Sequence, residues 1–230
     1  MEQGAKTFTV KKIEKMIDLK EDEEALIECI KSLELKATVI GEGGCAVILA
    51  LLDGKFNEIC LKKIREKPHI NYNNIDQEHD FQVDAKKAGV RTPLSIYWIK
   101  AENETYLIME RVKGYNLAEV LRNPNLLPEK FDFKIFCDSL DDQVKKMHSA
   151  GIYHRDFKLE NVMIDEEGLP VIIDWGTATN GTGSENTYEE TVSMYDHKKG
   201  RYDFVNGYFK DDLVMVKNIK ASLKPLIRQD

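Results

Sequence analysis

The sequence predicts an α+β fold in which a β-rich half hands over to a helical half after residues 109–114. Three observations support this. From Leu35 to Glu110 the chain breaks into short β-forming runs separated by glycine-rich or Asp-Gly punctuation. Beyond Gly114 the dominant signal is apolar residues at helical spacing. The 230 residues are 42% hydrophobic and 32% charged, enough to bury a core in one mid-sized domain or two small lobes.

The elements follow in order. Residues 9–19 suggest a short helix. Residues 22–33 (DEEALIECIKSL) fit an amphipathic one, with Leu26, Ile27, Ile30 and Leu33 on one face and acids in the first turn. Strands are expected at 37–40, 47–52 and 59–64, with Asp53-Gly54 as a hairpin signal. Residues 75–88 read as a helix stopped by Gly89, with Pro93 soon after. Strands at 94–100 and 105–110 follow, joined by the polar turn 101–104. A short helix is expected at 116–122 and a long one at 131–150. In the long helix Phe136, Leu140, Val144 and Met147 share a face, and Gly151 is the stop. Two short strands at 162–164 and 171–173 flank a turn. About 30 residues rich in Gly, Thr, Ser, Asn and Tyr then read as a long loop, a length that usually signals function or mobility. Residues 209–226 close the chain as a helix.

Composition narrows the function classes. Lys and Arg total 33 against 40 Asp and Glu, a net charge of −7. That argues against a basic wrapper, and no nucleic-acid partner is expected. Cys29, Cys45, Cys60 and Cys137 show no C-x-x-C spacing, so neither structural zinc nor a redox motif is expected; reduced, mostly buried thiols are. Residues 1–14 are polar, and no run approaches 18 apolar residues, so neither a signal peptide nor a membrane span is expected. The expectation is a soluble, cytoplasmic protein.

The chemistry-bearing segment is His154-Arg155-Asp156-Phe157-Lys158-Leu159-Glu160-Asn161, followed by Ile172-Ile173-Asp174-Trp175-Gly176. It supplies a carboxylate, an amide five residues on, and a second carboxylate 18 residues after the first. Phosphoryl transfer from a nucleotide uses such parts. One carboxylate orients an incoming hydroxyl and accepts its proton, while a second carboxylate and an amide oxygen hold Mg²⁺ on the phosphates. A lysine two residues past the base can offset charge on the transferring group.

H-R-D-x-K-x-x-N followed by D-x-G at this separation resembles the protein-kinase superfamily. The resemblance covers residues 37–220. It implies a bilobal kinase-like fold: an antiparallel-sheet N-lobe with one main helix at 35–114, and a truncated, mostly helical C-lobe at 115–230. Residues 1–34 would form a partly helical extension, open to a regulatory partner. ATP and Mg²⁺ are the implied cofactors.

The same resemblance assigns the site. Asp156 and Lys158 would be catalytic, with Asn161 and Asp174 on the metal. Gly41-Glu42-Gly43-Gly44-Cys45-Ala46-Val47-Ile48 looks like the glycine-rich loop, with Ala46 in the place of the third glycine and Ile48 in that of the usual valine. Gly41, Gly43, Ala46 and Ile48 would therefore line the nucleotide. Ile59-Cys60-Leu61-Lys62 falls where the family has V-A-I-K. Lys62, favoured over Lys63, would bind the α/β-phosphates, and Cys60 would roof the adenine. Glu78 would be the helix partner of Lys62, with Asp76 and Asp80 left as surface charges. Residues 78–92 resemble the corresponding helix of RIO-type and KEOPS-complex atypical kinases. Met109 would be the gatekeeper, backbone groups of Glu110 and Val112 would meet adenine, and Met163 would floor it. His154 would be structural rather than a base, and Asp212 or its rival Asp211 would brace the catalytic loop.

Departures from the family pattern matter as well. Trp175 stands for the usual phenylalanine of D-F-G, no A-P-E occurs, and only 18 residues follow Asp212. Thr187, Tyr188, Thr191 and Ser193 lie where an activation loop would be phosphorylated, with Arg155 as the pairing cation. Lys158 points to a serine/threonine protein kinase acting on a protein substrate. The alternatives are a kinase of small-molecule hydroxyls of the aminoglycoside or choline type, whose I-D-W run Ile173-Asp174-Trp175 resembles, a RIO-like ATPase working in an assembly, and a pseudokinase scaffold. The last is disfavoured because no catalytic position is missing.

Overall fold

The structure, a computed structural model, describes residues 9–11, 37–43, 45–50, 57–65, 74–101, 104–180, 191–196, 201–206 and 212–226. The chain divides into two compact units, one of residues 1–83 and 93–111, the other of residues 84–92 and 112–230.

The first unit carries β1 (Thr9–Lys11), β2 (Thr38–Glu42), β3 (Ala46–Ala50), β4 (Ile59–Ile64), β5 (Ser95–Ala101) and β6 (Glu104–Glu110). They form one six-stranded sheet in the order β1-β5-β6-β4-β3-β2, with every neighbour antiparallel. Helix α1 (Ile75–Lys87) begins in this unit, and its last turn belongs to the second. Cross-strand partners share a face, so Ala50, Cys60 and Met109 stack in one row and Ile48, Lys62 and Leu107 in the next. Ala50, Cys60, Leu107 and Met109 join Ile75 and Trp98 in a buried cluster against which Ile48 and Ile64 pack. Burying a side chain of this size contributes about 1.5–3 kcal/mol.

The second unit carries β7 (Gly114–Asn116), α2 (Leu117–Arg122), α3 (Phe133–Ser149), β8 (Ile152–Tyr153), β9 (Val162–Asp165), β10 (Pro170–Ile172), β11 (Thr179–Asn180), β12 (Thr191–Asp196), β13 (Arg201–Asn206) and α4 (Asp212–Leu223). Its strands pair as β10-β9-β7, β11-β8 and β12-β13. A capping box starts α2. Asn116 Oδ1 accepts the Glu119 N–H at 2.9 Å, and Glu119 Oε2 accepts the Asn116 N–H at 3.0 Å. Asp132 caps α3 by accepting the Ile135 N–H at 2.8 Å. The predicted face of α3, Phe136, Leu140, Val144 and Met147, is buried. Gly89 and Gly151, the predicted helix stops, have φ of +85° and +75°, a region that side chains disfavour.

Two expectations are corrected. Thr9–Lys11 is not helical; it pairs with β5, Thr9 opposite Lys100. Two of its three residues, Thr9 and Val10, are β-branched, and an open sheet edge offers the backbone hydrogen bonds that a lone short helix lacks. The stretch read as a long loop holds paired strands: β11 joins β8, and β12 pairs with β13 from Thr191–Asn206 to Asp196–Arg201. Alternating Thr, Val, Tyr and Phe in these two runs outweigh the polar composition that suggested a loop. The helix expected at 22–33, the Asp53-Gly54 turn, Gly44, Thr187, Tyr188 and Asp211 lie outside the described residues. Among the described residues no helix is long and apolar enough to cross a membrane.

Candidate active site

The first unit assembles one group of predicted residues. Alternation along β4 sends Lys62 to the sheet's buried face, where its Nζ lies 2.5 Å from Glu78 Oε1 of α1. Lys62 is 4% exposed and Glu78 1%, so the pair is a desolvated ion pair, costly to break on one side only. Lys63 faces the other way, 5.5 Å from the centre of the Tyr106 ring. The choice of Lys62 over Lys63 therefore agrees with strand geometry. Asp80 is exposed, whereas Asp76 is half-buried rather than a surface charge.

Cys60 lies in the core row with Met109, and its Sγ sits 3.6 Å from the Glu110 carbonyl. Burial pushes its thiol up to about 12, outweighing the pull of Arg111 and Lys62. The Glu110 N–H donates to the Leu94 carbonyl at 2.8 Å. In the glycine-rich turn, the Gly43 N–H donates to the Ala46 carbonyl at 2.9 Å. No heavy atom lies within 4 Å of where a Cβ on Gly43 would stand, and one on Gly41 would touch only Ile48 at 3.4 Å. Neither glycine has a positive φ, so what they provide is open backbone rather than an unusual conformation. Ala46 is buried and Ile48 half-buried.

The second unit assembles the other group. Lys158 Nζ lies 2.6 Å from Asp156 Oδ2. Asn161 Nδ2 donates to that same oxygen and to the Asp156 carbonyl, both at 2.9 Å. Burial pulls the Lys158 ammonium down, but Asp156, then Asp174 and Glu160, outweigh it and hold the pKa above the ordinary lysine value. The register of β9 with β10 sets Ile172 opposite Val162, and the Ile173 N–H donates to the Asn161 carbonyl at 3.0 Å. Asp174 thus leaves the sheet beside Asn161. Met163 of β9 and Val112 are half-buried in this unit and meet none of these groups through a described bond.

A brace sits beneath this loop. Asp212, at the start of α4, accepts the backbone N–H groups of His154 (2.9 Å) and Arg155 (2.8 Å), and its Oδ2 meets His148 Nε2 at 3.0 Å. Asp212 is therefore a brace of the loop, as expected for one of the two candidates; Asp211 lies outside the described residues. His154 is fully buried. The Asp156 N–H points to its Nδ1 at 3.3 Å, which leaves Nε2–H to donate to the Ile173 carbonyl at 3.0 Å. Both ring nitrogens are committed to backbone, so His154 is structural. Arg155 and Asp174 have φ of +68° and +66°. Residues with a Cβ hold that conformation only where their surroundings over-determine it.

The donor set fits a hard cation. With both amide protons of Asn161 turned to Asp156, its Oδ1 is the atom left to ligate, and Asp174, the residue after the Ile173 that bonds the Asn161 carbonyl, would offer a carboxylate oxygen. Among the described residues no group of three His, Cys, Asp or Glu could hold a metal alone. The arrangement suits an ion that completes its shell from phosphates and water. Residues the sequence did not single out also contribute. Thr92 accepts the Trp175 indole N–H, Thr177 Oγ1 donates to the His154 carbonyl at 3.1 Å, and His148 joins Asp212. No local spacing announces such partners.

Comparison with known proteins agrees with this geometry. Mouse (Mus musculus) sperm motility kinase 3A is 31% identical over 141 residues, 61% of this chain and 27% of that protein. Human (Homo sapiens) hormonally up-regulated neu tumor-associated kinase is 30% identical over 142 residues, 60% of this chain and 20% of that protein. The serine/threonine-protein kinase PKH3 of Eremothecium gossypii is 35% identical over 82 residues, 36% of this chain and 11% of that protein. The chain thus spans about a quarter or less of the length of these relatives. Residues 35–197 match the protein kinase domain family, well over half of the chain. This chain belongs to the protein kinase family.

Proposed function

We propose that the chain is an ATP- and Mg²⁺-dependent serine/threonine kinase domain that transfers the γ-phosphoryl group to a protein hydroxyl. The observation that carries this is the convergence of Lys158 Nζ (2.6 Å) and Asn161 Nδ2 (2.9 Å) on one carboxylate oxygen of Asp156. It fixes that carboxylate in a single orientation, as a group that must aim an incoming hydroxyl in line requires.

In this reading Asp156 orients the acceptor hydroxyl and takes up its proton. Lys158 neutralises charge on the phosphoryl group as it transfers. Asn161 and Asp174 hold Mg²⁺, which when bound offsets the charge of the phosphates. Lys62, held by Glu78, aligns the α/β-phosphates. By the family resemblance, Gly41, Gly43, Ala46, Ile48, Cys60, Met109 and the backbone of Glu110 are the nucleotide-facing group of the first unit, and Val112 and Met163 that of the second. Lys158 two residues after the base supports the serine/threonine assignment, as does the likeness to the serine/threonine-protein kinase of Eremothecium gossypii. The thiols of Cys45, Cys60 and Cys137 are free, which supports a reducing, cytoplasmic setting.

The test is transfer of labelled γ-phosphate to a panel of proteins, followed by phosphoamino-acid analysis. Phosphoserine and phosphothreonine are expected. Transfer only to tyrosine, or only to small-molecule hydroxyls, would overturn the assignment.

A further inference from the structure

We propose that Thr92 and Trp175 form a latch that sets the position of Asp174, making both of them positioning residues for the metal-binding turn. This rests on the reading of Asp174 as a Mg²⁺ ligand.

Trp175 is fully buried, and its Nε1–H donates to Thr92 Oγ1 at 2.9 Å across 83 residues of sequence. Thr92 is 2% exposed, so no water stands ready to replace either partner. Thr92 is itself fixed, because Lys86 Nζ donates to its carbonyl at 2.7 Å. The preceding residue is tied as well. The Arg91 carbonyl accepts the Ile172 N–H at 2.8 Å, and the Arg91 N–H donates to Gln143 Oε1 at 2.9 Å. Residues 91–92 are thus a rigid track that grips the chain on both sides of Asp174.

The turn needs that grip. Asp174 sits at φ +66°, a conformation that relaxes unless its neighbours are held. Ile173 is held through both backbone groups, its N–H on Asn161 and its carbonyl on His154 Nε2. On the other side of Asp174, the Trp175 ring stands edge-on to His154 at 4.9 Å, and its carbonyl accepts the Ala178 N–H at 3.1 Å. A phenylalanine at 175 would keep the ring packing but has no donor for Thr92. The indole therefore adds a directional tie to what would otherwise be contact alone.

The experiment measures Mg²⁺-dependent ATP binding by calorimetry for the parent, Thr92→Val, Thr92→Ser, Trp175→Phe and Asp174→Asn. Thr92→Val is nearly isosteric but orphans the indole N–H. It is expected to raise the half-saturating Mg²⁺ concentration about tenfold, equivalent to about 1.4 kcal/mol. Trp175→Phe should shift it in the same direction, Thr92→Ser should restore the parent value, and kcat at saturating Mg²⁺ should change little. A readout without ligand uses Trp175 as the lone tryptophan in a Trp98→Phe background. Thr92→Val should make its fluorescence about twofold more quenchable by acrylamide as the turn opens. If Thr92→Val fails to fold, Trp175→Phe supplies the same comparison. Parent-like Mg²⁺ dependence in Thr92→Val and Trp175→Phe, with binding lost in Asp174→Asn, would overturn the latch and leave the metal reading standing. Parent-like binding in Asp174→Asn would overturn both.

Discussion

Asp212 and Arg155 stand 57 residues apart, yet the carboxylate of one accepts the backbone N–H of the other at 2.8 Å. The second oxygen takes the His154 N–H, so two consecutive buried amides end on one side chain that is 2% exposed. This brace holds Arg155 at φ +68° immediately before Asp156.

Removing the brace should loosen the catalytic loop. Asp212→Ala orphans two buried donors at about 1–3 kcal/mol each, for an expected loss of about 2–6 kcal/mol. Asp212→Asn keeps one acceptor oxygen and should fall between. Denaturant unfolding measures the loss. A parent-like midpoint for Asp212→Ala would show that the brace carries little.

The Lys62–Glu78 pair gives a second prediction. Lys62→Met strands a carboxylate that is 1% exposed, and about 3–5 kcal/mol of stability should go with it. The double variant Lys62→Met, Glu78→Leu removes both charges and should recover most of that. Both variants should be inactive. A double-mutant cycle in urea reads the coupling, and additive losses would contradict a desolvated pair.

Cys60 provides a prediction in pH. Burial pushes the Cys60 thiol in the folded chain up to about 12, against 9.0 for a free thiol. Between these limits the folded state binds the extra proton, so stability should fall as pH rises through that window. Cys60→Ala should flatten the slope. Alkylation at pH 8.5 followed by mass mapping should label half-exposed Cys45 and leave Cys60 unmodified.

Lys158 should act on rate rather than on nucleotide affinity. Its ammonium is held on Asp156 Oδ2, and its pKa is raised, so it stays charged through neutral pH. Lys158→Ala should lower kcat about 10²–10³-fold with little change in the ATP KM. A proportional rise in KM would place it in ground-state binding instead.

Much of this was legible from residue order. The strand Ile59–Ile64, the short helix near 116–122 and the glycine stops rest on local stereochemistry, which short windows carry. The spacing of Asp156, Asn161 and Asp174 was legible because the chemistry restricts residue type at each position. What escaped depends on distant partners. The Thr92–Trp175 bond joins residues 83 apart, and no periodicity marks it. The role of Asp212 required knowing that its carboxylate meets the backbone of His154 and Arg155. Strands β12 and β13 were hidden by surrounding Gly, Ser and Asn, and β1 by a sequence too short to fix its own structure.

The most direct test of the central claim compares the parent with Asp156→Asn in two assays on the same preparation: Mg²⁺-dependent ATP binding and labelled phosphate transfer. Binding within about threefold of the parent, with transfer reduced about 10³-fold or more, is the predicted result. Equal transfer by both proteins would contradict the assignment of Asp156 as the group that orients the acceptor hydroxyl.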